Sequence, residues 1–268
     1  MAKKEPGTEV ATLSKELGLI ESPDQLPDHL RHEGPARGNE GVKSEDLIIP
    51  RIEVVQSMSP CKDEDKEAAY IPGIKEGDLF NTITRTNYGR SLLFVPIIFF
   101  KQWLLWRDRD AGGGFRGAYN SPAEAMTMIK ELEEKDAKEV GLWESVETGQ
   151  HLVAILHGGA KLEQVMLSMA KTKLKISRHL NTLVRQCGAD RFAQVYELGT
   201  SKETNAQNKE YRNFTLRPRG FLPVALFTLT SSMYQEITKE SRTIQADYSG
   251  LDDVAEAGTA AAAGEREY

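Results

Sequence analysis

The sequence says most about the fold between Leu92 and Trp106, where it runs Leu-Leu-Phe-Val-Pro-Ile-Ile-Phe-Phe-Lys-Gln-Trp-Leu-Leu-Trp. Branched and aromatic side chains in this density favour a strand over a helix. Pro96 lacks the N–H group that a central strand donates, so we expect an edge position or a bulge there. The stretch therefore predicts one long β-strand in the ordered part of the chain.

Shorter segments of similar character lie on both sides of this strand. They predict further strands at residues 47–56, 78–85, 151–157, 164–169, 192–198 and 211–217. Three segments favour helices: one from a Ser121-Pro122 start to about residue 137, an amphipathic one over 171–186 that stops at Gly188, and one from Pro223 to about residue 237.

This order of elements predicts an α+β protein. It suits an OB-like small β-barrel with inserted helices, in which a helix lies between the third and fourth strands, although other α+β folds fit nearly as well. We expect a flexible N-terminal arm over 1–46, which holds four of the 11 Pro residues, and a single OB-like domain over 47–246 with a helical insertion near 121–140. Residues 247–268 are rich in Ala, Gly and acid and predict a disordered acidic tail.

Several classes of protein are disfavoured by what the sequence lacks. It has no run of 18 apolar residues, no apolar N-terminal signal and only two Cys, which indicates a cytoplasmic protein without a membrane partner. It has no glycine-rich phosphate loop and no Cys or His pair at clear metal-ligand spacing. We therefore expect no catalytic residues, no metal and no cofactor.

Two arrangements leave room for a metal. His151 and His157 fall on the same face of one predicted strand, although structural histidines explain them more simply. The acidic residues between Glu131 and Asp136 could hold the divalent ion of a nuclease, but on a helix they more simply form a solvated face. A metal-dependent nuclease is thus a distant third hypothesis.

Charge is distributed unevenly along the chain. The net charge is −6, yet residues 161–219 hold 12 basic and five acidic residues, a net of +7, while residues 247–268 hold one basic and six acidic residues, a net of −5. Such asymmetry favours a polyanionic partner or an association of the tail with the body of the protein. A solvated basic surface without a partner is equally compatible with it.

Three segments supply the candidate nucleic-acid-binding residues. The basic helix offers cations for phosphates, the strand from Tyr211 offers an aromatic ring beside arginines, and two Trp of opposite parity cannot both face the core of one simple strand. The candidates are Lys171, Lys173, Lys175, Arg178, Arg185, Tyr211, Arg212, Arg217, Arg219, Trp103 and Trp106. For the Trp residues the alternative is cover by a subunit or by the helix near 123–137.

The tail carries Asp252 and Asp253 and ends in Glu267 and Tyr268. An acidic segment with an aromatic end resembles the C-terminal tip of bacterial and phage single-stranded-DNA-binding proteins. The resemblance implies that these four residues recruit replication or recombination proteins and that the tail competes with DNA for the basic surface.

The central region has a resemblance of its own. Ile49-Pro50-Arg51-Ile52, Ser59-Pro60, Gly77-Asp78-Leu79-Phe80-Asn81 and the stretch from Lys173 to Asn181 resemble a widespread group of uncharacterised phage proteins, some of them assigned as single-stranded-DNA-binding. The resemblance covers roughly residues 47–220 and implies a phage protein in the cytoplasm of the host cell.

Together these observations predict a sequence-independent single-stranded-DNA-binding protein of phage DNA replication or recombination, which is not an enzyme. The alternative is a phage virion or assembly protein, in which the Trp-rich strand forms a subunit interface and the N-terminal arm reaches a neighbour. The sequence leaves open whether the chain forms a homo-oligomer and whether it prefers DNA or RNA.

Overall fold

The long central strand organises the whole fold. The structure is a computed structural model, and it describes residues 48–66, 68–108, 110–157, 162–205 and 208–239. Within these ranges the strands are β1 (Ile52–Val54), β2 (Leu79–Asn81), β3 (Asn87–Gly89), β4 (Ser91–Arg107), β5 (Phe115–Tyr119), β6 (Trp143–Leu156), β7 (Leu162–Ala170), β8 (Gln194–Thr204) and β9 (Glu210–Phe221). The α-helices are α1 (Pro122–Lys135), α2 (Leu174–Cys187) and α3 (Val224–Lys239).

The larger sheet is antiparallel and has the order β7-β6-β4-β8-β9. On one side β4 pairs with β6 from Phe94 to Arg107. On its other side β4 pairs with β8 only over residues 91–94 and with β5 only over 103–106. The register of β4 against β6 shifts between Pro96 and Ile98, which confirms the bulge that the missing N–H of Pro96 predicts.

Two hydrophobic layers cover the two faces of this sheet. On one face Phe94, Val153 and Leu198 pack with Ile176 and Leu180 of α2 and with the small sheet β1-β2-β3. On the opposite face Val95, Ile97 and Leu152 pack with Phe227, Met233 and Ile237 of α3. The small sheet joins the large one where Met166 N–H donates to Pro50 O over 2.8 Å. Consequently α2 and α3 lie on opposite sides of β4 and β6.

The α+β class is confirmed, but the OB-like barrel is not observed. The described strands form an open sheet that ends at β7 and β9 instead of a closed barrel. Closure depends on which strand edges meet, and strand propensity carries no information about that pairing. The helix predicted near 121–140 is observed as α1, and Ser121 Oγ caps it by accepting from Glu124 N–H over 3.2 Å.

The predicted arm (1–46) and tail (247–268) lie outside the described residues. Across the ranges that the structure does describe, no helix has the length and apolarity needed to cross a bilayer.

Candidate nucleic-acid interface

Helix α2 sits close to the sheet because β6 has a glycine beneath it. A Cβ on Gly149 would lie 2.2 Å from Ser177 Oγ, so no larger residue fits there without a shift. Ile176, Ser177 and Leu180 are buried by this contact, and Gly188 ends the helix with a left-handed backbone (φ 70°), as predicted. The opposite side of α2 therefore projects into solvent.

Two of the predicted cations, Lys175 and Arg178, line that outer side, a third, Lys171, lies in the turn just before α2, and each of the three faces a carboxylate. Lys175 Nζ lies 3.2 Å from Glu203, Arg178 Nη2 lies 3.9 Å from Glu147, and Lys171 Nζ lies 3.5 Å from Glu144. We call these three pairs the α2 ladder. The Lys175 and Arg178 side chains remain 65% and 69% exposed. Because exposed pairs of this kind hold their partners weakly, the cations stay available to a competing anion.

Lys173 is oriented differently from the other cations of this segment. Its side chain is only 18% exposed, its Nζ lies 3.3 Å from Glu53, and it sits 4.3 Å from the centre of the Phe214 ring. The structure places it half-buried, between the small sheet and β9. Arg185, in contrast, is exposed near the end of α2 and forms no ion pair with any described residue.

Of the four candidates on β9, only Tyr211 meets the α2 ladder. Its hydroxyl donates to Glu203 over 2.7 Å, and burial together with that hydrogen bond raises the pKa of Tyr211 to about 12. Burial alone would raise the pKa of Glu203, but donors from Tyr211, Asn213 and Lys175 lower it. Glu203, on β8, is thus an ionised carboxylate that contacts both Tyr211 of β9 and Lys175 of α2.

The three arginines of β9 lie elsewhere. Arg212 Nε donates to Glu76 over 2.8 Å, and Arg219 pairs with Glu197. Arg217 is exposed and makes no ion pair with the described residues.

The structure separates the two tryptophans. Trp103 lies directly opposite Glu147 in the ladder of β4 and β6, and side chains alternate between faces along a strand, so Trp103 shares the α2 face with Lys101. Trp106 falls on the other face, with its ring centre 5.2 Å from that of Phe115. Both are half-buried, and α1 packs against this end of β4, β5 and β6.

Sequence reasoning missed Lys101 and the carboxylates around it. Lys101 Nζ lies 2.6 Å from Glu147, the same residue that faces Arg178. Lys101 and Arg178 therefore share one glutamate, which lies opposite Trp103 in the strand pairing, and Lys175 and Tyr211 share Glu203. The alternation of Lys101 and Trp103 in the sequence was the available signal, whereas Glu147 and Glu203 lie too far along the chain to be associated with it.

A Ser-His pair lies beneath α2, but it is not built for nucleophilic catalysis. His151 Nε2 is 2.7 Å from Ser177 Oγ, and Arg191 Nη2 donates to His151 Nδ1 over 2.9 Å. Since Nδ1 accepts, the proton of the neutral ring sits on Nε2 and is donated to Ser177, so the ring cannot take the proton of the serine. Burial, with the nearby Arg191 charge, lowers the pKa of His151 to about 3.

The possible zinc pair of His151 and His157 is not formed. His151 is bound as described, while His157 Nε2 lies 2.6 Å from Glu163. Within the described ranges no group of three or more His, Cys, Asp or Glu side chains is arranged to hold a metal ion.

Comparison with known proteins adds one finding. Residues 18–243 match the family model described as Pam3 phage gp34-like protein. No curated protein and no solved structure matches the chain.

Proposed function

We propose, since the chain belongs to the Pam3 phage gp34-like protein family, that it is a non-enzymatic, sequence-independent single-stranded-DNA-binding protein of phage replication or recombination. The expectation of a phage protein is confirmed by that membership; the binding of DNA is our inference. In this proposal residues Asp252, Asp253, Glu267 and Tyr268 of the tail recruit replication or recombination proteins.

The observation that carries the proposal is the grouping of aromatic rings and exposed cations on the α2 side of the sheet. Tyr211 donates to Glu203, which also pairs with Lys175, and Trp103 lies opposite Glu147, the partner of Arg178, in the β4–β6 ladder. Single-strand binders combine aromatic surfaces for bases with cations for phosphates, without reading base edges. We call this group the α2 surface.

The glutamates of this surface determine how DNA would bind. A phosphate has to displace Glu147 or Glu203 from its cation, which lowers affinity and makes it sensitive to salt. With two or three phosphates neutralised, we expect the logarithm of the association constant to fall with a slope of about −2 against the logarithm of salt concentration.

Oligo-dT titration of the full chain by fluorescence polarisation tests this directly. The double variant Lys175→Glu/Arg178→Glu should weaken binding about tenfold or more at low salt, because it adds repulsion as well as removing two contacts. The matched control is Lys130→Glu/Lys135→Glu, which reverses two exposed cations on α1 and should leave affinity unchanged. Equal losses in both variants, or no binding by the wild type at low salt, would refute the proposal.

A second variant should change the affinity for oligo-dT in the opposite direction. Glu147→Gln frees Lys101 and Arg178 from their shared carboxylate, so it should strengthen binding of oligo-dT. An increase in affinity is difficult to obtain from damage to the fold, and it therefore separates a role in binding from a role in stability.

The alternative, a virion or assembly protein, is favoured by a different surface. Phe221 is 66% exposed and Val224 is 83% exposed, and Leu229 and Tyr234 are also exposed on α3. Exposed apolar side chains of this kind are available for a contact with another protein. Copurification of the chain with phage particles, together with failure to shift oligo-dT, would support this alternative.

A further inference from the structure

A groove of about 700 Å³ lies between β4 and α3, away from the α2 surface. One wall is the middle of β4, Ile97–Phe99, and the opposite wall is the second half of α3. Asp190, Arg191 and Phe192, which come just before β8 in the chain, also line it. The α3 residues that line it are Ser231, Tyr234, Gln235 and Thr238.

The groove follows a strand edge that has no strand beside it. Residues 95–101 of β4 pair with β6 on one side, but on the groove side β8 stops at residue 94 and β5 begins at 103. No other described strand pairs with them there. Alternate residues of such an edge present N–H and C=O groups outward, which is the template that an extended peptide uses to add a strand.

Arg191 brings a cation without a counter-ion to this edge. Its Nη2 donates over 2.9 Å to His151 Nδ1 and to Asn181 Oδ1, both uncharged, and its guanidinium lies 5.5 Å from the centre of the Phe99 ring. Its Nε is buried without a hydrogen-bond partner, and no carboxylate of the described residues lies within 4.0 Å of the guanidinium.

Such a charge is costly, since removal of an ion from water is repaid only by a well-placed opposite charge. Desolvation by burial lowers the pKa of Arg191 to about 10. By comparison, the buried Arg51 lies 3.4 Å from Glu53. Although Asp190 lines the same groove, it forms no ion pair with Arg191, so the guanidinium can accept an anion carried by a peptide on the neighbouring strand edge.

We infer that the groove binds the acidic C-terminal segment of this protein, residues 247–268, as an added strand on β4 with a carboxylate against Arg191. The chain continues for 29 residues beyond Lys239, and Thr238, one residue before that point, lines the groove. An extended chain gains about 3.3 Å per residue, so the segment can reach the groove of its own chain or of a second copy. The segment has six acidic residues and one basic residue, so it can provide the negative charge that would pair with Arg191.

The inference is tested by hydrogen–deuterium exchange on the full chain without DNA. The variant Asp252→Asn/Asp253→Asn/Glu265→Gln/Glu267→Gln neutralises four carboxylates of the segment and leaves the described fold untouched. We expect amides between Ile98 and Lys101 to exchange about tenfold faster in this variant than in the wild type. The control Glu131→Gln/Glu134→Gln removes exposed carboxylates from α1 and should change nothing at β4.

Each outcome decides the matter. Faster exchange confined to the edge in the tail variant supports the inference, and a dependence of protection on protein concentration assigns the segment to a second copy. Equal exchange in the wild type and the tail variant overturns it. Protection of the edge by oligo-dT in the tail variant also overturns it, because the groove would then bind nucleic acid. Since no DNA is needed for the first comparison, the result is independent of the proposed function.

Discussion

The outer side of α2 and the groove beside Arg191 both present cations, but the protein balances the two charges differently. In the α2 ladder, Lys171, Lys175 and Arg178 are accessible to solvent and each has a carboxylate within 4.0 Å. At the groove, Arg191 is largely buried and its polar partners are neutral. A count of charged residues along the chain treats these four cations as equivalent, whereas among them Arg191 alone has no carboxylate of the described residues within 4.0 Å.

This difference matters for function because the two sites select ligands differently. The α2 ladder can exchange a glutamate for a phosphate at little net gain, which suits a reversible, salt-dependent contact. Arg191 has no anion to exchange, so any anion that reaches it relieves an existing cost. The two regions are joined by α2, whose Ser177 and Asn181 hydrogen-bond to His151 and Arg191.

The largest expected effect is on the contact that holds both regions in place. Gly149→Ala would put a methyl carbon 2.2 Å from Ser177 Oγ and 3.1 Å from Ser177 Cβ. We expect a loss of about 3 kcal/mol in the free energy of unfolding, since overpacking of this kind displaces a helix. Urea denaturation measures it. The control Gly117→Ala, whose nearest neighbour is the flexible Tyr119 hydroxyl at 3.1 Å, should lose much less.

The second prediction compares one arginine from each region. Arg191→Met should cost about 2 kcal/mol, because the buried His151 Nδ1 is left without a donor and the half-buried Asn181 Oδ1 loses one. Arg178→Met should cost less than about 0.5 kcal/mol, because its pair with Glu147 is exposed. Urea denaturation of the two variants side by side checks this. Equal losses would show that burial does not distinguish the two cations.

Much of the fold follows from local sequence. The density of branched and aromatic residues predicts β4, Pro96 predicts its bulge, and the cap at Ser121 and the stop at Gly188 predict helix ends that the structure confirms. The pairing of the strands is harder to predict, because strands that lie side by side in the sheet are far apart along the chain. For this reason the sequence predicts a closed barrel where the structure has an open sheet.

The candidate site shows the same limit in its side chains. The sequence predicts a helix that starts at Lys171, but Lys171–Lys173 form a 3-10 turn with a positive φ at Lys171, and the α-helix begins at Leu174. That shift turns Lys173 inward. The local sequence around Arg191 does not predict its environment, because the residues that it contacts, Phe99, His151 and Asn181, are distant in the chain.

The third prediction concerns pH and the network under α2. With a pKa of about 3 in the folded protein and an ordinary value near 6.5 when unfolded, His151 binds a proton more readily in the unfolded chain. Stability should therefore fall as pH drops below about 6.5, by about 1 kcal/mol between pH 6.5 and 5.5 from this residue alone. Urea denaturation at both pH values measures it.

The matched variants for that prediction are His151→Gln and His179→Gln. Gln can accept from Arg191 and donate to Ser177 without titrating, so His151→Gln should show a loss of stability smaller by about 1 kcal/mol over the same pH interval. His179 is exposed on α2, and its replacement should leave the wild-type pH dependence intact. If His151→Gln retains the full dependence, the histidine is not held neutral by its surroundings.

The smallest expected effect is on stability at the α2 ladder. Lys175→Met should change the free energy of unfolding by less than about 0.5 kcal/mol, since the pair is exposed and salt screens it. Glu203 keeps hydrogen bonds from Tyr211 and Asn213, at 2.7 and 3.1 Å, so it is not left without donors. Urea denaturation at low and high salt should give the same small difference. A loss above about 1 kcal/mol would mean that the ladder stabilises the fold, in which case its cations are not free to exchange a carboxylate for a phosphate.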